Sequence, residues 1–80
     1  MRKIIVGAAQ TIDRIREIHD IQMRKTEEER LVITLHCSFD DGVLLEDVHA
    51  ITSRLEGVIY QTVPNTYRVI IHAEPLFAED

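Results

Sequence analysis

The spacing of apolar residues predicts a helix at the start of this chain. Apolar side chains recur there at intervals of three and four, the spacing that places them on one side of an α-helix. The helix is expected over about residues 3–11. Its apolar side consists of Ile4, Ile5, Ala8, Ala9 and Ile12.

Two stretches with a period close to two come next, and they predict two strands. In the first, over about residues 15–26, Ile21 and Met23 share a face and polar residues alternate with them. The second covers residues 31–39, where one face carries Leu31, Ile33, Leu35, Cys37 and Phe39 and the other carries Val32, Thr34, His36 and Ser38. The three glutamates at 27–29 are expected to form a solvated turn between the strands.

A second helix and a third strand complete the pattern. The helix is predicted over about residues 43–62, and Pro64 ends it. Its apolar stripe consists of Leu45, Val48, Ile51 or Thr52, Leu55 and Ile59. The strand follows over residues 67–74, with Tyr67, Val69, Ile71 and Ala73 on one face and Arg68, Ile70, His72 and Glu74 on the other.

The resulting order, α-β-β-α-β, determines the expected fold class. Two consecutive strands favour an antiparallel hairpin, whereas a strand–helix–strand crossover places the second and third strands parallel. We therefore predict an α+β protein with a three-stranded mixed sheet and two helices on one face, a ferredoxin-like open-faced sandwich. A chain of 80 residues has room for one domain, which is expected to span residues 1–80.

The charge balance limits the classes of partner. The chain carries 9 Lys+Arg against 14 Asp+Glu, a net charge of −5 at pH 7. An acidic surface argues against nucleic acid as a partner and favours attraction of cations. The longest apolar stretch, residues 4–9, is far shorter than the roughly twenty residues of a membrane-spanning helix, so no membrane insertion is expected. A single cysteine forms no internal disulfide, which favours a cytoplasmic location.

Alternation along the strands predicts a candidate metal site. If the second strand packs its odd-numbered face on the helices, His36 points to the outer side of the sheet. His72 and Glu74 point to that same side from the last strand, and adjacent strands lie about 4.8 Å apart. Imidazole and carboxylate groups are ligands for Zn²⁺ and other first-row divalent metals. The alternative is that these histidines are ordinary surface or hydrogen-bonded residues, since their spacing matches no local zinc-finger signature.

Cys37 is the other candidate ligand, because thiolates bind zinc well. It neighbours His36 in the chain and therefore points to the opposite, helix-facing side. We interpret Cys37 as a small buried hydrophobic residue rather than a ligand.

Four segments resemble the cytoplasmic domain of cation diffusion facilitator (cation efflux) transporters. Residues 18–24, IHDIQMR, are similar to the opening motif V-H-D-L-R-x-R of that domain, and residues 32–36, VITLH, to its strand that ends in histidine. Residues 44–51, LLEDVHAI, resemble its helix start S-L-x-E-A-H-x-I, and residues 69–75, VIIHAEP, its closing V-x-I-H-x-E/D-P. The segments follow the order of the family and cover about residues 4–75.

The resemblance implies more than the residue pattern does. The domain in this family has a metallochaperone-like αββαβ fold, forms a V-shaped homodimer, binds divalent metal at the dimer interface and controls an attached transmembrane exporter. Zn²⁺ is the expected ion, with Fe²⁺, Mn²⁺, Co²⁺ and Cd²⁺ as alternatives. Position by position, the implied ligands are His19, His36, His49, His72 and Glu74. Whether His19 and His49 bind the ion or lie at an interface is left open by the sequence.

The sequence departs from the family pattern at three places, the first of which is Asp13-Arg14, where the family has Pro-Gly ahead of the first strand. Gln22 stands where the opening motif has its first Arg, which puts an ion pair there in doubt, and Glu74 stands where some members have Asp. The function expected from the resemblance is a regulatory domain that senses Zn²⁺ or a similar ion and tightens a homodimer. The alternative is a free-standing soluble metal-binding protein, such as a buffer, a chaperone or a transporter partner. We do not expect an enzyme, since no nucleophile and base occur at a recognisable spacing and no phosphate-binding glycine loop is present.

Overall fold

The computed structural model describes residues 2–76. Its elements are α1 (Arg2–Gln10), β1 (Glu17–Lys25), β2 (Leu31–Phe39), α2 (Leu45–Thr62) and β3 (Thr66–Pro75). The predicted order α-β-β-α-β is confirmed, and β2 has the predicted bounds. β1 is shorter at both ends than expected from the apolar pattern.

The three strands form one mixed sheet in the order β1-β2-β3. β1 pairs antiparallel with β2, as in a hairpin, and β3 pairs parallel with β2 after the α2 crossover. Both pairings agree with the prediction. β2 is therefore the central strand, so side chains from both other strands meet above and below it.

Both helices pack on the same face of the sheet. α2 contacts β3 and α1, and α1 also contacts β1. The odd-numbered residues of β2 lie under the helices, and Ile33, Leu35 and Cys37 are fully buried there. They pack with a cluster that includes Ile5, Ala9, Ile12, Ile21, Leu55, Ile59, Val63 and Val69. Within residues 2–76 no helix or strand covers the other face, which we call the open face; His36 and His72 point to it.

β1 departs from regular alternation at one place. His19 pairs with His36 and Gln22 pairs with Thr34, so two residues of β1, Asp20 and Ile21, lie opposite one residue of β2. This arrangement is a β-bulge, in which one strand carries an extra residue. Asp20 has a φ of 52°, in the left-handed region. Because of the extra residue, the part of β1 before the bulge points its side chains to the opposite faces from those that unbroken alternation with the part after it would give.

The start of α2 differs from the prediction. The helix begins at Leu45 rather than at residue 43, and Leu45 is 84% exposed instead of belonging to the apolar stripe. The first turn of α2 stands off from the end of the sheet and leaves a groove of about 370 Å³ lined by Phe39, Val43 and Pro75. Ile4, expected on the apolar side of α1, is likewise 44% exposed.

Two residues of β3 also depart from their expected inward placement. The β2–β3 register shifts after Leu31, because Thr66 pairs with Leu31 and Arg68 with the next residue. Tyr67 is the extra residue and is 53% exposed, with the Arg30 guanidinium 5.0 Å from the centre of its ring. Ala73 is exposed because it lines the groove where α2 stands off from the sheet. Among the described residues, neither helix combines the length and the apolar character that crossing a membrane requires.

Candidate metal centre

Three histidines form a row across the open face of the sheet. The pairing of the strands places His19 of β1 beside His36 of β2, and His36 beside His72 of β3. The ring centres of His19 and His36 are 5.4 Å apart, and those of His36 and His72 are 5.0 Å apart in a stacked arrangement. The row follows from pairing register, which brings together residues that are far apart in the chain.

Glu74 joins two of these histidines. It lies on β3 two residues beyond His72 and therefore on the same face. One of its oxygens, Oε1, is 2.6 Å from Nε2 of His19, and the other, Oε2, is 3.1 Å from Nδ1 of His36. Because an ionised carboxylate only accepts hydrogen bonds, both imidazoles donate an N–H to it. The carboxylate thus reaches from β3 across β2 and contacts the histidines of both β1 and β2.

The surroundings of Glu74 favour its ionised form. Its pKa lies below the ordinary value of 4.5, chiefly because His36 donates a hydrogen bond to the carboxylate. The positive charge that His19 and His36 carry when protonated acts in the same direction, while partial burial opposes it. Glu74 is therefore a carboxylate at neutral pH, the form in which a carboxyl group binds a metal ion.

The donor atoms of His19, His36 and Glu74 fit a transition-metal ion. One ligand atom from each residue lies within 4.8 Å of the other two. In a tetrahedral zinc site, ligand atoms about 2.1 Å from the ion lie about 3.4 Å from one another. The observed hydrogen-bonded separations of 2.6 and 3.1 Å, each to a different oxygen of Glu74, are shorter than that spacing, so the three side chains would have to move slightly apart to hold an ion. Two imidazole nitrogens and one carboxylate oxygen are also the ligand types that zinc accepts.

The five candidate ligands do not all lie together in the structure. His19, His36 and Glu74 meet, with side chains 39%, 33% and 31% exposed. His72 stacks on His36 but lies outside the group of three ligand atoms, and its side chain is exposed. His49 is an exposed residue of α2, the helix that packs on the opposite face of the sheet. Within one protomer His49 is therefore apart from the others.

Cys37 lies among the core side chains, as the alternation of β2 predicted. Its thiol is fully buried beneath the helices. Burial raises the pKa of the Cys37 thiol to about 11, and the negative charge of Glu74 adds to the effect. The thiol is protonated at neutral pH, whereas metal binding needs the thiolate. The glutamates at 27–29 lie in the turn between β1 and β2 and are exposed, also as expected.

Reasoning from alternation alone missed the contact between His19 and Glu74. A regular period of two through β1 places His19 on the same face as Ile21, which lies in the core. The bulge at Asp20 shifts His19 to the open face instead. A signal for the bulge is present in the sequence. Ile21 lies in the core and Ile18 packs against it, yet the two are three residues apart, and Asp20 between them is of a type that tolerates a left-handed φ.

The sequence matches one family model over almost its whole length. Residues 1–76 match the model of the family described as cation efflux protein, cytoplasmic domain. No curated protein matches the chain at a significant level.

Several solved structures have a similar fold. The cytosolic domain of a cation diffusion facilitator family protein superposes with a TM-score of 0.89 at 19% identity, covering 98% of this chain and 92% of that chain. The metal-bound C-terminal domain of the CzcD transporter from Thermotoga maritima gives 0.89 at 18% identity, covering 99% and 91%. The Zn form of the transporter CzrB gives 0.80 at 23% identity, covering 99% and 84%. At these identities the likeness shows a shared fold.

Proposed function

This chain belongs to the family of cytoplasmic domains of cation efflux proteins, as its four motifs indicated, and from that premise we propose that it is a regulatory domain that senses a divalent metal ion. Zn²⁺ is the proposed ion. The observation that carries the proposal is the cluster of His19, His36 and Glu74 on the open face, with its ligand atoms within 4.8 Å of one another. The chemistry is binding and release, with no bond made or broken in a substrate.

The cluster suits reversible binding. Three protein ligands leave a tetrahedral ion with one position for water or another group, as in zinc sites that exchange ligands. Without the ion, Glu74 holds both imidazoles by hydrogen bonds, so the ligands are already gathered. A bound ion would take the place of these protons, and each proton would move to the other nitrogen of its imidazole ring or, from a protonated ring, to solvent. Pre-organisation of this kind lowers the cost of ordering the side chains on binding.

We assign the coupling between metal and dimer to Glu74. Its carboxylate belongs to the metal cluster, and Glu74 is also one of the residues that line the groove at the start of α2. Beside that groove, Leu44 is 59% and Leu45 is 84% exposed, which supports a contact with a second protomer there. Asp40 and Asp41 line the same groove, so a metal bound to Glu74 reduces the negative charge of this region. The metal-bound form therefore favours a closer homodimer, and an attached exporter responds to the change.

Isothermal titration calorimetry with Zn²⁺ tests the metal centre. The parent protein at pH 7.5 is expected to bind zinc, and His19→Ala, His36→Ala and Glu74→Ala are each expected to weaken binding by about tenfold or more, since each removes a ligand. Binding is expected to be weaker at pH 5.5, because protons compete with the ion for the imidazole nitrogens.

Gln22→Ala is the matched control. Gln22 is an exposed residue of β1 that points to the open face, paired with Thr34. Its replacement is expected to leave zinc affinity unchanged. Zinc binding that survives all three ligand replacements, or that is equally tight at pH 7.5 and 5.5, contradicts the proposed site.

A further inference from the structure

We propose that Asp20 is the positioning residue of the metal centre, since it occupies the extra place of the β-bulge that turns His19 to the open face. Its contribution lies in the backbone conformation that it accepts and not in its carboxylate. The inference rests on the proposed function in so far as zinc affinity serves as one of its two readouts.

The pairing of β1 with β2 shows that the face on which His19 lies depends on one extra residue. Asp20 and Ile21 together face the single residue Leu35, while pairing on either side of them is regular. Ile21 is 5% exposed and packs in the core. In a strand with strict alternation, residues two apart share a face, so His19 would lie on the core side together with Ile21. The bulge separates them, and His19 reaches Glu74 on the open face instead.

The conformation of the bulge restricts which residue can occupy it. Asp20 has a φ of 52°. Glycine adopts this left-handed region freely, Asp and Asn enter it several times more often than other residues, and β-branched residues are genuine outliers there. The identity of residue 20 therefore controls how readily the bulge forms.

The carboxylate of Asp20 is poorly placed to act directly. Its Oδ2 lies 4.0 Å from Nε2 of His19, beyond hydrogen-bond distance, whereas the same nitrogen is 2.6 Å from Glu74. The side chain of Asp20 is 66% exposed. These observations favour a backbone role over an electrostatic one, and a glycine substitution separates the two.

The experiment compares Asp20→Gly with Asp20→Val. Glycine keeps the left-handed conformation and removes the carboxylate, whereas valine opposes the conformation. Glu29→Val is the matched control, because Glu29 also has a left-handed φ, 61°, but lies in the turn at the far end of the hairpin. Each variant is titrated with Zn²⁺ and its unfolding is followed by circular dichroism. Nuclear Overhauser contacts between the His19 and His36 rings, measured without metal, report the position of His19 independently of zinc.

Asp20→Val is expected to weaken zinc binding about 10–100-fold, the range for groups that orient a ligand, and to abolish the contact between the two rings. Asp20→Gly is expected to keep the contact and an affinity within about threefold of the parent. Glu29→Val is expected to keep both, despite similar backbone strain.

Three results would overturn the proposal: retention of the ring contact in Asp20→Val, an equal loss of zinc affinity in Asp20→Gly, or an equal loss in Glu29→Val. If the parent protein binds no zinc, the proposed function fails. The ring contact in the metal-free variants then still decides whether Asp20 positions His19.

Discussion

Glu74 connects two histidines across the width of the sheet. β1 and β3 are separated by β2, and strands lie about 4.8 Å apart, so the backbones of His19 and Glu74 are about 10 Å apart in the sheet direction. The side chains close that gap, with Nε2 and Oε1 2.6 Å from each other. Because Glu74 also accepts a hydrogen bond from His36, it is the residue on which the geometry of the cluster depends most.

The lowered pKa of Glu74 predicts how its contribution to stability depends on pH. A carboxyl group whose pKa is lower in the folded state stabilises that state above its unfolded pKa, here about 4.5, and the contribution is lost as pH falls through the folded value. Glu74→Gln is therefore expected to lower the free energy of unfolding at pH 6, and the difference from the parent is expected to shrink below pH 4.5. Urea unfolding from pH 7 to pH 3 measures it.

Glu56→Gln provides the comparison for this experiment. Glu56 is an exposed residue of α2 and is expected to show little effect at any pH. A difference between parent and Glu74→Gln that stays constant down to pH 3 contradicts a lowered pKa as its source.

α2 shows why an apolar pattern predicts a helix better than it predicts burial. Its bounds are close to those expected, and Leu55 and Ile59 are fully buried in the core. Leu45 continues the same spacing by one turn, yet it is 84% exposed because the helix start stands off from the sheet. Where an element extends past its partner, a residue on the apolar side no longer has a surface to pack against.

Two leucines of α2 test this interpretation. Leu55→Ala is expected to lower the free energy of unfolding by about 2–5 kcal/mol, since it leaves a cavity in the core. Leu45→Ala makes the same chemical change at an exposed position, and it is expected to alter the stability of the protomer by no more than about 0.5 kcal/mol. Equilibrium urea unfolding at low protein concentration measures both. Similar losses in the two variants would mean that Leu45 is buried within the protomer.

At the scale of the whole molecule, the two faces of the sheet carry different groups of residues. One face holds the core under both helices, and the other carries the histidine row and Glu74. The groove with the exposed Leu44 and Leu45 lies at the end of the sheet where Glu74 also lies. Glu74 is therefore the residue that the metal cluster shares with the surface that we assign to the partner protomer.

Zinc is expected to tighten the homodimer. Sedimentation equilibrium should give a dissociation constant for the dimer that falls with added Zn²⁺, since the ion reduces the negative charge beside the groove. Leu45→Ala is expected to weaken the dimer with and without zinc, and Glu74→Gln is expected to remove the effect of zinc. A dissociation constant that is the same at all zinc concentrations contradicts the coupling.

The sequence by itself determined the elements, their order, the mixed sheet and the placement of His36, His72 and Glu74 on one face. Each of these features follows from a local period or from a connection rule. Both kinds of rule apply without knowledge of which distant residues come into contact. Tertiary structure alone decided that His19 meets Glu74 and that His72 lies outside the closest group. These outcomes depend on the bulge at Asp20, the register of three strands and the reach of individual side chains. A residue pattern does not contain them, because one extra residue in a strand reverses the face of all that precede it.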